Sequence, residues 1–261
     1  RQARCDTARM AWNLRNTFGV AALFAAAAAL YWSGLRYPAV FDDGKLAEPF
    51  FRAYATAPFR FDLRWLSYGS FGWIYSLFGA DLYWQRLANL LLHAAVASML
   101  FLFLKRLFDL VLPAERDAGA RTAFFGALLF LVHPVALYGV AYLIQRSILM
   151  ATLFSLLSLW LFLEALERRR WGWHLAAAIA YFAAVFSKEH CIMLPAVAAA
   201  LALLVRGSSP LPWRELAAPL GLQARHFGLE RLDRFALVDR RRARNRERES
   251  LLGAFEGRRV Q

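Results

Sequence analysis

The stretch Phe130-Leu-Val-His133-Pro134-Val-Ala-Leu-Tyr138-Gly139-Val-Ala-Tyr142-Leu-Ile-Gln145-Arg146 decides how the chain must fold. It is apolar enough to lie in a bilayer, yet it carries a His-Pro pair inside it and a Gln-Arg pair where the next apolar run begins. Ionisable groups at that depth are costly and call for a reason. Pro134 removes a backbone donor and bends or breaks the helix, which frees nearby carbonyls for water or a ligand. The stretch therefore reads as a broken hairpin with Arg146 at its tip, forming one wall of a polar site at a membrane face.

The surrounding composition agrees. Of 261 residues 59% are hydrophobic and 20% charged, and the apolar residues fall in long blocks rather than in the short periodic runs of a soluble core. The expectation is an all-α polytopic membrane protein with about six spans. These are Thr17 to Leu35, Trp84 to Leu104, Thr122 to Tyr142, Ser147 to Leu166, Trp171 to Phe186 and Cys191 to Val205. Several fall short of the ~20 residues that cross a hydrocarbon core, as bent or tilted helices do.

The net charge of +13 does not argue for nucleic acid, because the basic residues sit between apolar blocks and in the C-terminal tail. Membrane topology accounts for the first group. Lys occurs only at Lys45, Lys105 and Lys188, so the wealth of Arg is a habit of the whole chain. Arg1, Arg4, Arg9 and Arg15 before the first block place residues 1–16 in the cytoplasm. A cleaved signal peptide competes with a retained first span, and the aromatic pair Tyr31-Trp32 favours the span. Met10, just before that block, makes the residues before it an upstream extension or a fragment edge. Residues 17–206 form the transmembrane domain, with a long outer loop over 36–83 that suits helices lying on the membrane surface. Residues 207–261 form an Arg-rich cytoplasmic tail, either disordered or lying with a short apolar face on the anionic inner leaflet. Cys5 and Cys191 give no metal spacing and face opposite sides of the membrane.

Parity then gathers the polar residues. With the N-terminus inside, the first, third and fifth connections lie outside, and they hold Asp42-Asp43, Gln145-Arg146 and Lys188-Glu189. Acids and cations at a membrane face fit a reaction in which a hydroxyl attacks and a lipid phosphate leaves. A carboxylate takes the proton of the hydroxyl, and Arg or Lys stabilises charge on the phosphate. A donor that is itself a lipid needs no nucleotide fold, and neither GxGxxG nor GxxxxGK is present. Each residue also has a plain structural role open to it. Asp42 and Asp43 could cap a surface helix or bind a divalent cation, and Arg146 could snorkel to headgroups. Lys188-Glu189 could be an interfacial ion pair. Asn89 and His93, at i and i+4 on one helix face, could join two spans, as could His133.

The order of these features also resembles a family. Asp-Asp in the first outer loop, Arg64-Trp-Leu leading through Gln85-Arg-Leu-Ala-Asn89-Leu-Leu-Leu-His93, then His133-Pro134 to Gln145-Arg146, then Ser187-Lys188-Glu189, is similar to the polytopic GT-C glycosyltransferases. More closely it resembles the bacterial relatives of the TMTC protein O-mannosyltransferases, over roughly Tyr37 to Val205. The resemblance implies transfer of a sugar from a polyprenyl-phosphate donor to a protein or glycan hydroxyl on the outer face of the bacterial inner membrane. It implies Asp42 or Asp43 as general base, the neighbour orienting acceptor or metal. Arg146, Lys188 and His133 would hold the donor phosphate, with Arg64, Gln145, Glu189, Asn89 and His93 in support. Such enzymes continue for several more spans, whereas this chain turns Arg-rich after six, so a truncated or frame-shifted product is the competing expectation. The rival from another class is a non-enzymatic carrier or transporter of polyprenyl-linked glycans. A transporter more often has interrupted helices at mid-membrane in two related halves, and here the polar residues gather at one face.

Overall fold

The computed structural model describes residues 2–47, 53–54, 56 and 63–208. The tail expected over 207–261, apart from its first two residues, and Arg52, Arg60 and Asp62 of the outer loop lie outside the described residues. By its contacts the chain divides into residues 1–210 and 211–261, the second beyond what is described.

Every regular element among the described residues is helical. In chain order these are α1 (Gln2–Tyr31), α2 (Trp65–Phe78), α3 (Leu82–Val111), α4 (Arg116–Val132), α5 (Pro134–Ala141), α6 (Arg146–Arg168), α7 (Trp171–Val185) and α8 (Leu194–Ser208). Short 3-10 turns at Trp32–Arg36, Phe41–Ala47, Leu143–Gln145 and Glu189–Met193 lie between them.

Three helical stretches, Arg15–Arg36, Leu82–Val111 and Leu143–Arg168, are long and apolar enough to cross a membrane, and the count is four where the bent pair α4 and α5 is taken as one broken span rather than a re-entrant loop. Helix α7 has 15 residues, as has α8. At 1.5 Å per residue each is about 22 Å long, below the ~30 Å of a hydrocarbon core. The fifth and sixth expected blocks are thus apolar helices too short to count as spans by length alone. Around the bundle, Phe18, Phe125, Leu129, Ile179 and Phe182 point outward and are more than half exposed. A belt of that size is a liability in water and an ordinary surface in lipid.

The core is built where small residues let helices approach. Ala27 of α1 packs with Leu90, Ala94 and Ala97 of α3 and with Leu131 of α4. Below them Leu23, Phe101, Ala123 and Ala127 continue the same seam. Gly119 keeps α4 against α3, since a Cβ there would come within 2.9 Å of Phe108 Cβ.

The break at His133-Pro134 is where the sequence placed it, and the two helices meet at 58°. With Val135 N–H donating to His133 Nδ1 at 3.2 Å, the carbonyl of Leu131 loses its helical donor. It is taken up at once by Tyr31 Oη at 2.6 Å and by His93 Nε2 at 3.1 Å. A carbonyl acceptor requires the proton on Nε2. The carbonyl expected to be left for water or a ligand therefore ties α1 and α3 to the hairpin.

Candidate functional site

The outer loop meets the hairpin through its acidic pair. Both lie in the 3-10 turn Phe41–Ala47, preceded by Phe41 at φ 49°, a strained conformation for a bulky residue. Phe41 sits edge-on to Tyr142, ring centres 5.7 Å apart. The turn sends the two carboxylates different ways. Asp43 is 1% exposed, and Asp42 is exposed to solvent. Asp43 Oδ1 accepts the backbone N–H of Ile144 at 3.3 Å, Oδ2 accepts that of Val40 at 3.4 Å, and Arg86 Nη2 lies 4.0 Å away. Burial pushes the Asp43 carboxyl above the usual carboxylate range, opposed by those N–H donors and by Arg86. Asp42 accepts the hydroxyl of Tyr142 at 2.8 Å.

Arg86 holds this loop. Its Nε donates to the carbonyl of Tyr37 at 3.1 Å, Nη2 to that of Pro38 at 2.5 Å and Nη1 to that of Ala141 at 2.8 Å. One guanidinium thus pins the start of the outer loop and the end of α5 to α3, a use suited to its planar fork of donors.

Arg146 is not on a solvent wall. It is fully buried, its Nε donates to Asn89 Oδ1 at 2.7 Å and its Nη2 to the Gln85 carbonyl at 2.8 Å. Its Nη1 reaches Ser70 Oγ at 3.4 Å, and Phe71 covers the guanidinium, 4.0 Å from ring centre to Cζ. As expected, Asn89 and His93 share one face of α3, and both join spans. Asn89 Nδ2 donates to the carbonyls of Gly139 and Leu143 at 3.3 and 3.2 Å. Gln145 Nε2 reaches Tyr138 Oη at 3.4 Å. His133 is exposed and caps α5.

The third polar group arrives through α2. Arg64 forms a two-pronged pair with Glu189, Nη2 to Oε1 at 2.6 Å and Nε to Oε2 at 3.1 Å. This contact brings the Glu189 carboxyl down to about 2 and raises the Arg64 guanidinium. Next to it Leu66 N–H donates to the Phe186 carbonyl at 3.1 Å and Ser67 Oγ to that of Ser187 at 3.1 Å. Lys188 is half-buried with no ion-pair partner among the described residues; burial and the nearby Arg64 charge lower its ammonium. Phe71 of α2 packs with Leu46 of the acidic turn and Leu143 of the hairpin.

The acidic turn, the Leu143–Gln145 turn and the Ser187–Glu189 turn therefore gather at one end of the helices, joined by the Asp43–Ile144, Ser67–Ser187 and Arg64–Glu189 contacts. The opposite end of α3, about 30 Å away over the 20 residues from Arg86 to Arg106, has its own charges. Arg106 Nε pairs with Glu164 Oε1 at 2.7 Å and Arg106 also with Glu167, while Arg15 meets Asp117 at 3.0 Å. Among the described residues no three His, Cys, Asp or Glu side chains converge as metal ligands. Two residues that hold the site, Arg86 and Tyr142, were not singled out from sequence. Arg86 follows Gln85 and precedes Asn89 by three, on the polar face of an otherwise apolar span, and that was its signal. Set against family models, curated proteins and solved structures, the chain matches none of them.

Proposed function

We propose that the protein is a six-span membrane glycosyltransferase of the GT-C kind, using a polyprenyl-phosphate sugar on the outer face of the bacterial inner membrane. The observation that carries this reading is the division of labour in the acidic turn. One carboxylate is buried and fixed to the hairpin, and its neighbour is held open to solvent beside a tyrosine, at the end of the bundle that also holds Lys188. In the proposed step the acceptor hydroxyl attacks the sugar carbon, the bond from that carbon to the phosphate oxygen breaks, and Asp42 takes the hydroxyl proton. Polyprenyl phosphate departs with the electron pair, its charge met by Lys188. Asp43, Arg86 and Arg146 are positioning residues that set the loop and hairpin, and Arg64 with Glu189 holds the turn that carries Lys188. His133 caps α5 rather than meeting the phosphate.

The test is sugar transfer from a labelled polyprenyl-phosphate donor in membranes carrying wild type, Asp42→Asn or Lys188→Gln. Loss of general-base catalysis should slow transfer by Asp42→Asn about 100-fold or more, with Lys188→Gln weakening use of the donor. Equal transfer by wild type and Asp42→Asn removes the base, and no transfer by wild type removes the activity.

A further inference from the structure

Away from the acidic turn, at the other end of the helices, a cavity of about 1440 Å³ opens between α1, α3 and α4. It is larger than the ~300–1,000 Å³ of ordinary small-molecule sites. Its walls are aromatic, from Phe18, Phe101, Phe124 and Phe125, and Phe18 and Phe125 belong to the outward-facing apolar belt. Its rim is charged. Arg15, Lys105, Arg116 and Arg121 face Asp109 and Asp117 across it. Two of the cations are already paired, Arg15 with Asp117 at 3.0 Å and Lys105 with Asp109 at 3.3 Å. Among the described residues Arg116 and Arg121 have no carboxylate partner, and both are exposed. The rim thus keeps an excess of two positive charges above an apolar, lipid-level groove.

From this combination we infer a binding site for an anionic phospholipid of the adjoining leaflet, its acyl chains along the phenylalanines and its phosphate between Arg116 and Arg121. A soluble anion would have no use for the aromatic walls, and an uncharged lipid none for the rim. Guanidinium groups suit a phosphate through paired N–H donors. The site begins at Arg15, where the first candidate span starts, and reaches Lys105, near the end of the second, which is headgroup depth for both. The inference rests on the chain lying in a membrane and is independent of sugar transfer.

The experiment uses the full chain purified in a neutral detergent, with native mass spectrometry counting retained lipid after addition of phosphatidylglycerol or phosphatidylcholine. Wild type should retain phosphatidylglycerol in preference to phosphatidylcholine. Each arginine near an anionic headgroup contributes about a five-fold gain in binding, so Arg116→Gln with Arg121→Gln should weaken retention about 30-fold. Phe125→Glu, which sets a carboxylate in the exposed wall, should do the same without touching the rim. Arg36→Gln, at the end of the 3-10 turn that follows α1, should leave retention unchanged. Equal retention of the two lipids by wild type, no change in either variant, an equal loss in Arg36→Gln, or full displacement by inorganic phosphate would each overturn the site.

Discussion

Replacing Arg146 by Met keeps most of the stem volume and removes all five N–H donors. Two short contacts are lost, to Asn89 Oδ1 at 2.7 Å and to the Gln85 carbonyl at 2.8 Å, each worth about 1.5–3 kcal/mol when the donor is charged. The stacking on Phe71 adds up to about 2 kcal/mol. Against this stands the desolvation of a fully buried cation, several kcal/mol that the variant recovers. Asn89 Oδ1, left in the interior without its donor, tips the balance, and the expected net loss is about 2–4 kcal/mol. At roughly 2–4 °C per kcal/mol for a chain of this size, the unfolding midpoint should fall by on the order of 10 °C. The assay is tryptophan fluorescence against temperature in one neutral detergent, with Arg146→Lys alongside. The lysine variant keeps the charge but can reach only part of the fork, and should melt between the other two. A Met variant that melts within a degree of wild type would refute the account of Arg146 as an internal pin. It would return that residue to the list of groups available to a phosphate.

Three further outcomes follow from the same geometry. Asp43→Ala strips the acceptor from the N–H groups of Ile144 and Val40 and leaves Arg86 facing no carboxylate; it should cost about 1–3 kcal/mol, against about 0.5 kcal/mol or less for exposed Asp42→Ala, read as melting midpoints side by side. The Glu189 carboxyl, held at about 2 in the folded chain against an ordinary 4.5, adds stability that is complete above pH 4.5 and drains away as pH falls towards 2. Because that side chain is 42% exposed, the effect should stay below about 1 kcal/mol, and Glu189→Gln should flatten this part of the pH-melting curve; an unchanged curve would contradict the pairing. In a background with Cys5→Ser and Cys191→Ser, single cysteines at positions 42 and 188 should react with an impermeant maleimide outside intact cells. Those at 121 and 168 should react only after permeabilisation, and labelling of 42 without 188 would separate the two halves of the site.

The helices, the break at Pro134 and the gathering of three distant turns were legible because each follows from the arrangement of apolar blocks and from one missing backbone donor. The hydrogen bonds from Ile144 to Asp43 and from Ser67 to Ser187 bring together the connections that the sequence reading grouped. The direction of individual side chains was not legible. Adjacent residues in a 3-10 turn point about 120° apart, so Asp42 and Asp43 had to diverge, but only the unusual backbone at Phe41 and the N–H of Ile144 decide which one turns inward. Arg146 at a helix start reads as a snorkelling residue until one sees Asn89 and Gln85 across from it, on a helix that begins some sixty residues earlier. The shortness of α7 and α8 was partly visible in the length of their apolar runs, and a connection at Lys188-Glu189 was expected; the 3-10 turn Glu189–Met193 runs past it into the block expected to start at Cys191.

Ser67 and Ser187 are 120 residues apart in the chain. At the usual pace of protein synthesis, on the order of 10 residues per second, the segment carrying Ser67 leaves the ribosome roughly 12 s before the segment it must join. During that interval α2 has neither the Phe186 nor the Ser187 carbonyl to accept its donors. A nascent chain halted anywhere in those 120 residues would leave the Leu66 N–H and the Ser67 hydroxyl without the acceptors that complete this end of the bundle.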